Sequence, residues 1–261
     1  MKFIIQYNLI NEEQLLKIKG VVEKYPHEYV GVLPFSHEIT SDSPLVGTDF
    51  IPYGSTLLVT LANELKWKGC FFNLDTFNYS AFVKNRTDML NSNVFTIKEA
   101  LEYLKTQPKD KKWFTRPSKD LKQFTGLVNP THECIEYFTN ALLADTSSIA
   151  QLRPDTDIVL CEPRNIDAEY RWFVVGGKVV SGSYYRNSGF MYRQKIEDPK
   201  MIAEAQNFAD GWLPHENCVM DLALLDTGEM KVIEFNCLNG SGFYDNDVRA
   251  IFDALWNYSA R

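Results

Sequence analysis

The chain has 261 residues and a mass of 30.0 kDa, which is enough for one large domain or two compact ones. Hydrophobic residues make up 45% and charged residues 23%, a composition that argues against disorder and allows a sizeable core. The 27 Lys and Arg against 34 Asp and Glu give a net charge of −7, which excludes a global basic field for holding nucleic acid.

The cysteines, the amino terminus and the hydropathy pattern indicate the setting of the protein. Five cysteines are scattered without a CxxC pair, which favours a reduced compartment and argues against a zinc site. The first residues lack the form of a signal peptide, and no apolar run reaches the roughly 20 residues that span a bilayer. We therefore expect a cytoplasmic location and no membrane partner.

The first quarter of the chain shows strands that alternate with helices. The predicted strands cover 2–7, 29–33 and 49–53, and the predicted helices follow Asn11 and cover 57–65. Asn11 with Gln14 three residues later has the pattern of a capping box. This alternation predicts a small α/β layer.

The rest of the chain is predicted to be rich in strands. A polar stretch at 73–93 leads into it. The predicted strands cover 112–116, 157–161, 170–175, 178–184, 218–225 and 231–235, and the predicted helices cover 97–104, 199–212 and 247–258. Strands that cluster late, with few crossover helices, favour an α+β fold over a doubly wound one.

The most informative segment is a predicted hairpin near the carboxyl terminus. If its turn centres between Thr227 and Gly228, Asp221 faces Glu234 directly across the ladder, and Asn236 lies on the same face as Glu234. Carboxylates whose Cβ atoms lie about 4.5–5.5 Å apart destabilise each other, so a cation between them is expected. All-oxygen ligands of this kind favour Mg²⁺. The alternative is a solvated strand face with chance acids.

Two glycine-containing segments are candidates for binding an anion. The loop after Asn236 contains Gly240 and Ser241, whose backbone can approach an oxyanion or phosphate closely. Gly54 and Ser55 begin a predicted helix with free backbone amides. For this second segment a plain helix cap is the alternative.

The order of these residues resembles the ATP-grasp superfamily over roughly residues 90–261. Asp221, Glu234, Asn236 and Gly240 match its metal-binding end. The pattern Arg-Pro-x-Lys-x-x-Lys-x-Phe-x-Gly, followed by Glu-Tyr-Arg-Trp-Phe-Val, is similar to a branch found widely in phages and bacteria. If the protein is phage-encoded, the expected location is the host cytoplasm. The resemblance implies an α+β ATP-grasp fold in which two lobes clasp ATP. It implies an amino-terminal α/β domain at 1–88 and an ATP-grasp domain at 89–261, divided into a smaller lobe at 89–165 and a metal-binding lobe at 166–261.

The resemblance also implies the contacts with ATP. These are Arg116, Lys119, Lys122, Glu162, Arg164, Glu169 and Arg171. Arg116 stands in the slot of the family's usual lysine, Glu162 near the adenine edge and Glu169 on the ribose hydroxyls. The alternatives are surface salt bridges for the two glutamates and an exposed charge run for the lysines.

One arginine of the family pattern is missing, because Val219 stands two residues before the metal-binding Asp. Arg171, Arg186 and Arg193 are the candidates for its task. Arg171 lies two residues after Glu169 on a predicted strand, so both project from one face, with a structural ion pair as the alternative. The candidate catalytic residues are Arg171, Lys122 and Arg186, and the candidate substrate residues are Gly54, Ser55, Arg193, Gly240 and Ser241.

The activity implied by the resemblance is an ATP-dependent ligase that joins a carboxylate to an amine through an acyl phosphate and releases ADP and phosphate. Two Mg²⁺ ions are implied, with Mn²⁺ as an alternative metal. The expected substrates are small-molecule or peptide carboxylates and amines; nucleic acid is not expected, although a modified base stays open. A homodimer is the default assembly. The alternative functions are an ATP-grasp phosphotransferase and a nucleotide-sensing module without turnover.

Overall fold

The computed structural model describes residues 1–34, 36, 38–119, 123–144 and 151–259. The chain divides into two compact units, each built from separated stretches. The first unit comprises Met1–Asn73, Ala168–Leu222 and Phe235–Arg261, and the second comprises Leu74–Asp167 and Ala223–Glu234. Within the described residues, no helix has the length and apolar character needed to cross a membrane.

Thirteen strands and seven helices form the described part of the chain. In the first stretch of the chain they are β1 (Lys2–Gln6), α1 (Glu12–Val22), β2 (His27–Val32), β3 (Ile39–Ser41), β4 (Phe50–Tyr53) and α2 (Thr56–Glu64). The middle holds α3 (Tyr79–Asn85), β5 (Val94–Thr96), α4 (Ile97–Leu104), β6 (Lys112–Pro117), β7 (Leu127–Pro130), α5 (Thr131–Leu143) and β8 (Asp157–Cys161). The last stretch holds β9 (Ile166–Val175), β10 (Lys178–Asn187), β11 (Phe190–Lys195), α6 (Pro199–Ala209), β12 (Cys218–Leu225), β13 (Met230–Asn236) and α7 (Val248–Ser259).

A four-stranded sheet in the order β3-β2-β1-β4 forms the amino-terminal layer. β1 pairs in parallel with both β2 and β4, as the predicted α/β layer requires, and β3 adds an antiparallel edge. Asn11 is the N-cap of α1, as predicted, but its side chain accepts from the Glu13 amide rather than forming the predicted box with Gln14.

Both faces of this layer are buried. Phe3 and Ile5 pack on one face, in a core cluster that includes residues of α1 and α7. Ile4 points to the other face, where it joins residues of α2 such as Leu58. Because side chains alternate along a strand, a continuous apolar run is what a strand covered on both faces requires.

The second unit contains the sheet β5-β8-β6-β7, in which all three pairings are antiparallel. Helices α4 and α5 pack in its core through Ile97, Leu104 and Phe138. Thr96 and Glu99 form a reciprocal capping box at the start of α4. A further sheet has the order β11-β10-β9-β12-β13, in which β10 is antiparallel to both β9 and β11.

Candidate functional site

The turn between β12 and β13 is wider than the predicted two-residue turn. The Gly228 amide donates to the Leu225 carbonyl at 2.9 Å, and the Leu225 amide donates to the Glu229 carbonyl at 2.9 Å. With Gly228 at φ +81°, this is the pattern of a type I turn followed by a G1 bulge. The predicted turn is therefore wrong. The facing of Asp221 and Glu234, which rests on that turn, stays a prediction.

A buried ion pair joins neighbouring strands β9 and β12. Arg171 donates from Nε to Asp221 Oδ1 at 2.9 Å and from Nη2 to Oδ2 at 2.6 Å, and Asp221 is 1% exposed. Asn236 donates from Nδ2 to Asp221 Oδ2 at 3.1 Å. Burial alone would lower the pKa of Arg171, but the charge of Asp221 and its hydrogen bonds raise that pKa, so the guanidinium stays charged. The carboxylate is thus held from two sides.

An aromatic pair supports Arg171. The rings of Tyr185 and Tyr244 stack with centroids 4.8 Å apart and planes 4° apart. The guanidinium carbon of Arg171 lies 4.9 Å from the Tyr244 centroid and 5.6 Å from that of Tyr185, and Nη1 donates to the Gly242 carbonyl at 3.2 Å. Tyr244 has a φ of +49°, a conformation that costs a residue with a side chain about 1–3 kcal/mol. The surrounding contacts therefore hold both Tyr244 and Arg171 in place.

Glu169 lies at the edge of this aromatic pair. The Tyr185 hydroxyl donates to Glu169 Oε2 at 2.7 Å, and Arg186 Nη1 donates to Oε1 at 3.2 Å. Burial raises the pKa of Tyr185, with the charges of Asp221 and Glu169 adding to the effect, so the phenol stays a donor. The structure thus brings Glu169 and Arg186 together, and the ribose role of Glu169 stays a prediction.

A second ion pair lies within the other unit. Arg116, on β6, donates from Nη1 to Glu234 Oε2 at 2.6 Å and to the Tyr79 hydroxyl at 3.1 Å. Its guanidinium carbon lies 4.8 Å from the centre of the Tyr79 ring, and the Tyr79 hydroxyl donates to the Ile233 carbonyl at 2.8 Å. The side chains of Arg116 and Glu234 are 22% and 21% exposed. Tyr79 carries no sequence signal of its own, and this contact could be found only from the structure.

A cavity of 430 Å³ lies beside Arg116. It is lined by Phe114, Arg116, Pro117, Lys119, Phe124, Thr125 and Gly126. Two basic side chains and two aromatic rings in one cavity suit an anionic ligand that carries a planar ring. Arg116 and Lys119 both line this cavity, whereas Lys122 lies outside the described residues, and the contacts of all three with phosphates stay a prediction.

Glu162 and Arg164 lie on the surface of the second unit. Both are exposed, and neither is among the residues that line this cavity. Lys111 Nζ lies 2.6 Å from Glu162 Oε1 and 4.5 Å above the Trp113 ring, and its hydrogen bond lowers the pKa of Glu162. Glu162 therefore forms a surface salt bridge here, and its role at the adenine edge stays a prediction.

The loop after β13 is fastened by Asn239, a residue that the sequence does not single out. Asn239 is 0% exposed and donates from Nδ2 to the carbonyls of Pro52 and Gly69, each at 2.8 Å. Its Oδ1 accepts from the Phe71 amide at 2.8 Å. A loop that appears in the sequence as a small polar turn is thus fixed to the strand β4 and to the segment that follows α2.

The predicted anion-binding amides are already engaged. The Gly54 amide donates to the Asn239 carbonyl at 3.0 Å, and the Ser55 amide donates to Gln6 Oε1 at 2.7 Å. Ser55 Oγ is buried without a hydrogen-bond partner among the described residues, so Ser55 does not cap α2 through its side chain. Ser241 donates from Oγ to the Cys237 carbonyl at 2.7 Å, and the amide of the exposed Gly240 donates to the same carbonyl at 3.3 Å.

Arg193 is the third candidate arginine, and it lies on the exposed strand β11. Its Nη1 donates to both carboxylate oxygens of Glu13, at 3.1 and 3.0 Å. Its guanidinium carbon lies 5.8 Å from the Tyr244 centroid. Of the three candidate arginines, Arg171 is therefore the one bonded to Asp221.

The donor atoms fit a hard metal ion by their chemistry. Asp221, Glu234 and Asn236 offer carboxylate and carboxamide oxygens, the ligands that Mg²⁺ prefers. Asn236 turns its amide nitrogen towards Asp221, which leaves its carbonyl oxygen as the atom for a cation. No group of three or more His, Cys, Asp or Glu suited to a metal ion occurs in the described part of the chain.

Comparison with known proteins connects this geometry to a fold. The D-cycloserine synthetase DcsG is similar, with 9% identity and a TM-score of 0.61 over 100% of this chain and 99% of that chain. D-Alanyl-alanine synthetase A of Vibrio cholerae gives 10% identity and a TM-score of 0.58 over 100% and 99%. The ATP-grasp ligase PsnB, complexed with a phosphomimetic variant of its minimal precursor, Mg and ADP, gives 10% and 0.56 over 99% and 97%. These likenesses confirm the predicted α+β ATP-grasp fold.

The sequence itself assigns the family. No protein of curated function matches the chain. The sequence model of the family described as ATP-grasp domain, R2K clade family 3, matches residues 63–256, which is well over half of the chain. The chain therefore belongs to the ATP-grasp superfamily, in family 3 of the R2K clade.

Proposed function

We propose that this protein is an ATP- and Mg²⁺-dependent ligase that joins a carboxylate to an amine. The observation that carries the proposal is the position of Arg116, which lines the 430 Å³ cavity and also contacts Glu234. A cation suited to phosphates therefore lies next to a carboxylate suited to the metal that accompanies them. Phosphoryl transfer depends on this combination of positioning and charge compensation. The similar synthetases and ligases support the same reaction class.

ATP is proposed to occupy the cavity of the second unit. Arg116 and Lys119 neutralise its phosphates, together with Lys122, and Phe114 and Phe124 offer rings against which a base can pack. Further contacts with ATP are proposed for Glu162, Arg164, Glu169 and Arg171.

Asp221, Glu234 and Asn236 are proposed to hold Mg²⁺, two ions in all, with Mn²⁺ as an alternative. When bound, the metal neutralises charge on the β- and γ-phosphates. Arg171 keeps the Asp221 carboxylate in one orientation through its two hydrogen bonds. Asn236 is fixed in turn by its bond to Asp221, so two of the three ligands form one preorganised group.

In the proposed reaction, a substrate carboxylate oxygen attacks the γ-phosphorus of ATP and ADP leaves, which produces an acyl phosphate. An amine then attacks the acyl carbon, the bond from that carbon to the phosphate oxygen breaks, and the amine loses a proton. We propose that Arg171 performs the task of the arginine that Val219 replaces, because it is the candidate next to Asp221. Arg186, Arg193, Gly54, Ser55, Gly240 and Ser241 are proposed to contribute to the substrate side.

The test is a paired measurement of ATP binding and turnover. ATP affinity is measured by calorimetry with and without Mg²⁺, and ADP release is measured with pools of amino acids, peptides and small carboxylates. Hydroxylamine is included because it converts an acyl phosphate into a hydroxamate, which a phosphotransferase that acts on a hydroxyl or a histidine does not form. We expect Mg²⁺-dependent binding and a hydroxamate that depends on one pool.

Glu234→Gln should abolish turnover, because it removes a proposed metal carboxylate. Glu229→Gln is the matched control, since Glu229 is exposed in the turn of the same hairpin and pairs with Lys231. Absence of ATP binding under every condition would refute the proposed function. Transfer of phosphate to a hydroxyl without hydroxamate would assign the protein to the phosphotransferases instead.

We further propose that an amino-terminal domain at 1–88 precedes the ATP-grasp domain at 89–261, and that the protein is a cytoplasmic homodimer. Limited proteolysis and light scattering test the boundaries and the dimer respectively.

A further inference from the structure

The two arginine–carboxylate pairs differ in how deeply they are buried. Arg171 and Asp221 have side-chain exposures of 12% and 1%, and Arg171 is bonded through two nitrogens and flanked by two tyrosine rings. Arg116 and Glu234 are 22% and 21% exposed, and Arg116 also forms part of a cavity wall. Breaking a buried pair is strongly destabilising, whereas partly exposed pairs exchange partners at low cost.

Arg116 therefore lies between two proposed binding sites, the metal carboxylate Glu234 and the phosphate-binding cavity. On one side its Nη1 lies 2.6 Å from Glu234 Oε2, and on the other it lines the cavity that also contains Lys119. A phosphate that enters the cavity offers Arg116 a more highly charged partner than a single carboxylate. Once Arg116 turns towards that phosphate, Glu234 loses this hydrogen bond and becomes a better ligand for a cation.

We propose that Arg116 is a displaceable lock on Glu234: it bonds to the carboxylate that would bind the metal, until a phosphate in the cavity draws its guanidinium away. This inference rests on the proposed function, because it concerns the same nucleotide and metal sites. In the absence of ligand, each partner of the pair reduces the other's affinity for its own ligand. Binding of either ligand removes that penalty for the other, so nucleotide and metal bind with positive cooperativity, and the coupling is reciprocal.

The first experiment measures the metal alone. Mn²⁺ is titrated into the full chain without nucleotide, and free Mn²⁺ is followed by electron paramagnetic resonance. Arg116→Met should bind Mn²⁺ about tenfold more tightly than the wild type, which corresponds to about 1.4 kcal/mol. Lys112→Met is the charge-matched control, because Lys112 lies on the same strand β6 as Arg116 and is exposed. Its Mn²⁺ affinity should equal that of the wild type.

The second experiment measures the reciprocal effect, that of Glu234 on nucleotide binding, and it does not depend on a folded Arg116 variant. ADP binding is measured by calorimetry in EDTA, where Glu234→Gln should bind more tightly than the wild type because Arg116 no longer pairs with a carboxylate at position 234. Glu229→Gln, in the exposed turn of the same hairpin, should bind ADP as the wild type does. Thermal unfolding midpoints identify any variant that does not fold, and in that case the remaining variant decides.

The outcomes separate this inference from the proposed function. Equal or weaker Mn²⁺ binding by Arg116→Met, an equal gain in Lys112→Met, or no Mn²⁺ binding by any variant would overturn the lock. If the wild type binds no ATP or ADP even with Mg²⁺, the proposed function fails. The Mn²⁺ titration then still reports on the lock by itself.

Discussion

Replacing Asn239 by Ala tests how firmly the loop after β13 is held. The change removes hydrogen bonds at 2.8 Å to the Pro52 and Gly69 carbonyls and from the Phe71 amide, all from a side chain that is 0% exposed. Each lost bond is worth about 1 kcal/mol net, and each buried group left without a partner costs about 1–3 kcal/mol more unless water reaches it. Allowing for partial relaxation, we expect the free energy of unfolding to fall by about 3–5 kcal/mol.

The assay is urea unfolding followed by circular dichroism, with the slope of the transition checked for each variant. Asn85→Ala is the control, because Asn85 is exposed and bonds only locally to the Ala81 carbonyl, so its effect should stay within about 0.5 kcal/mol. Asn239→Asp should lose at least as much stability as the alanine variant, because a carboxylate oxygen would face the two carbonyls. A loss below about 1 kcal/mol for Asn239→Ala would refute the reasoning, since one exposed hydrogen bond can account for that much.

Three further predictions concern the first unit. Arg171→Met should lower the free energy of unfolding by about 3–5 kcal/mol in urea titrations, because it removes the charged partner of the buried Asp221 carboxylate and the two hydrogen bonds that Arg171 donates to it; a near-neutral result would contradict the assigned pairing. Gly182→Ala should cost about 3 kcal/mol in the same assay, because a Cβ there would lie 2.1 Å from Trp172 Cζ3; unchanged stability would show that the ring has room to move. The pKa of Asp247 is lowered mainly by a hydrogen bond from the Ala250 amide, in the first turn of α7. Asp247 therefore stabilises the folded state above its ordinary pKa of 3.8, and this stabilisation is lost as the pH falls through the lower pKa of the folded state. Stability measured between pH 5 and pH 2 should therefore fall less steeply in Asp247→Asn, and parallel curves would exclude this contribution.

The sequence predicts the regular elements well where apolar periodicity is strong. The predicted helix 97–104 and the strands 157–161 and 218–225 have the same bounds in the structure. These segments combine a clear apolar pattern with flanking polar residues, so local preference and tertiary packing agree.

Helix α5 and strand β11 are not predicted, because their local sequence signal is weak. Helix α5 begins directly after Pro130, and its buried Cys134 and Phe138 are spaced as one helix face, but threonines and aromatic residues dilute the helical preference. Every residue of strand β11 is exposed, so no apolar alternation marks it.

The contacts that shape the site lie beyond what one sequence reveals. Arg116 and Glu234 are far apart along the chain, and nothing in their neighbours indicates that they pair. The turn before β13 illustrates a finer limit, since one bulged residue at Gly228 changes the register from which facing side chains are calculated. Motif order therefore indicates the fold, while the partners of each charged side chain depend on the folded structure.

The division of the first unit into three stretches of chain has a consequence for synthesis on the ribosome. Phe3 and Tyr53 emerge early, yet they share a core cluster with Phe243 and Phe252 from the last stretch. The apolar side chains of the early residues therefore stay uncovered until nearly the whole chain has been synthesised. Contacts between residues so far apart in sequence slow folding, and the exposed apolar surface favours aggregation in the meantime. A fragment cut at the predicted boundary after residue 88 would keep that surface uncovered and should bind chaperones or aggregate unless the carboxyl-terminal stretch is supplied.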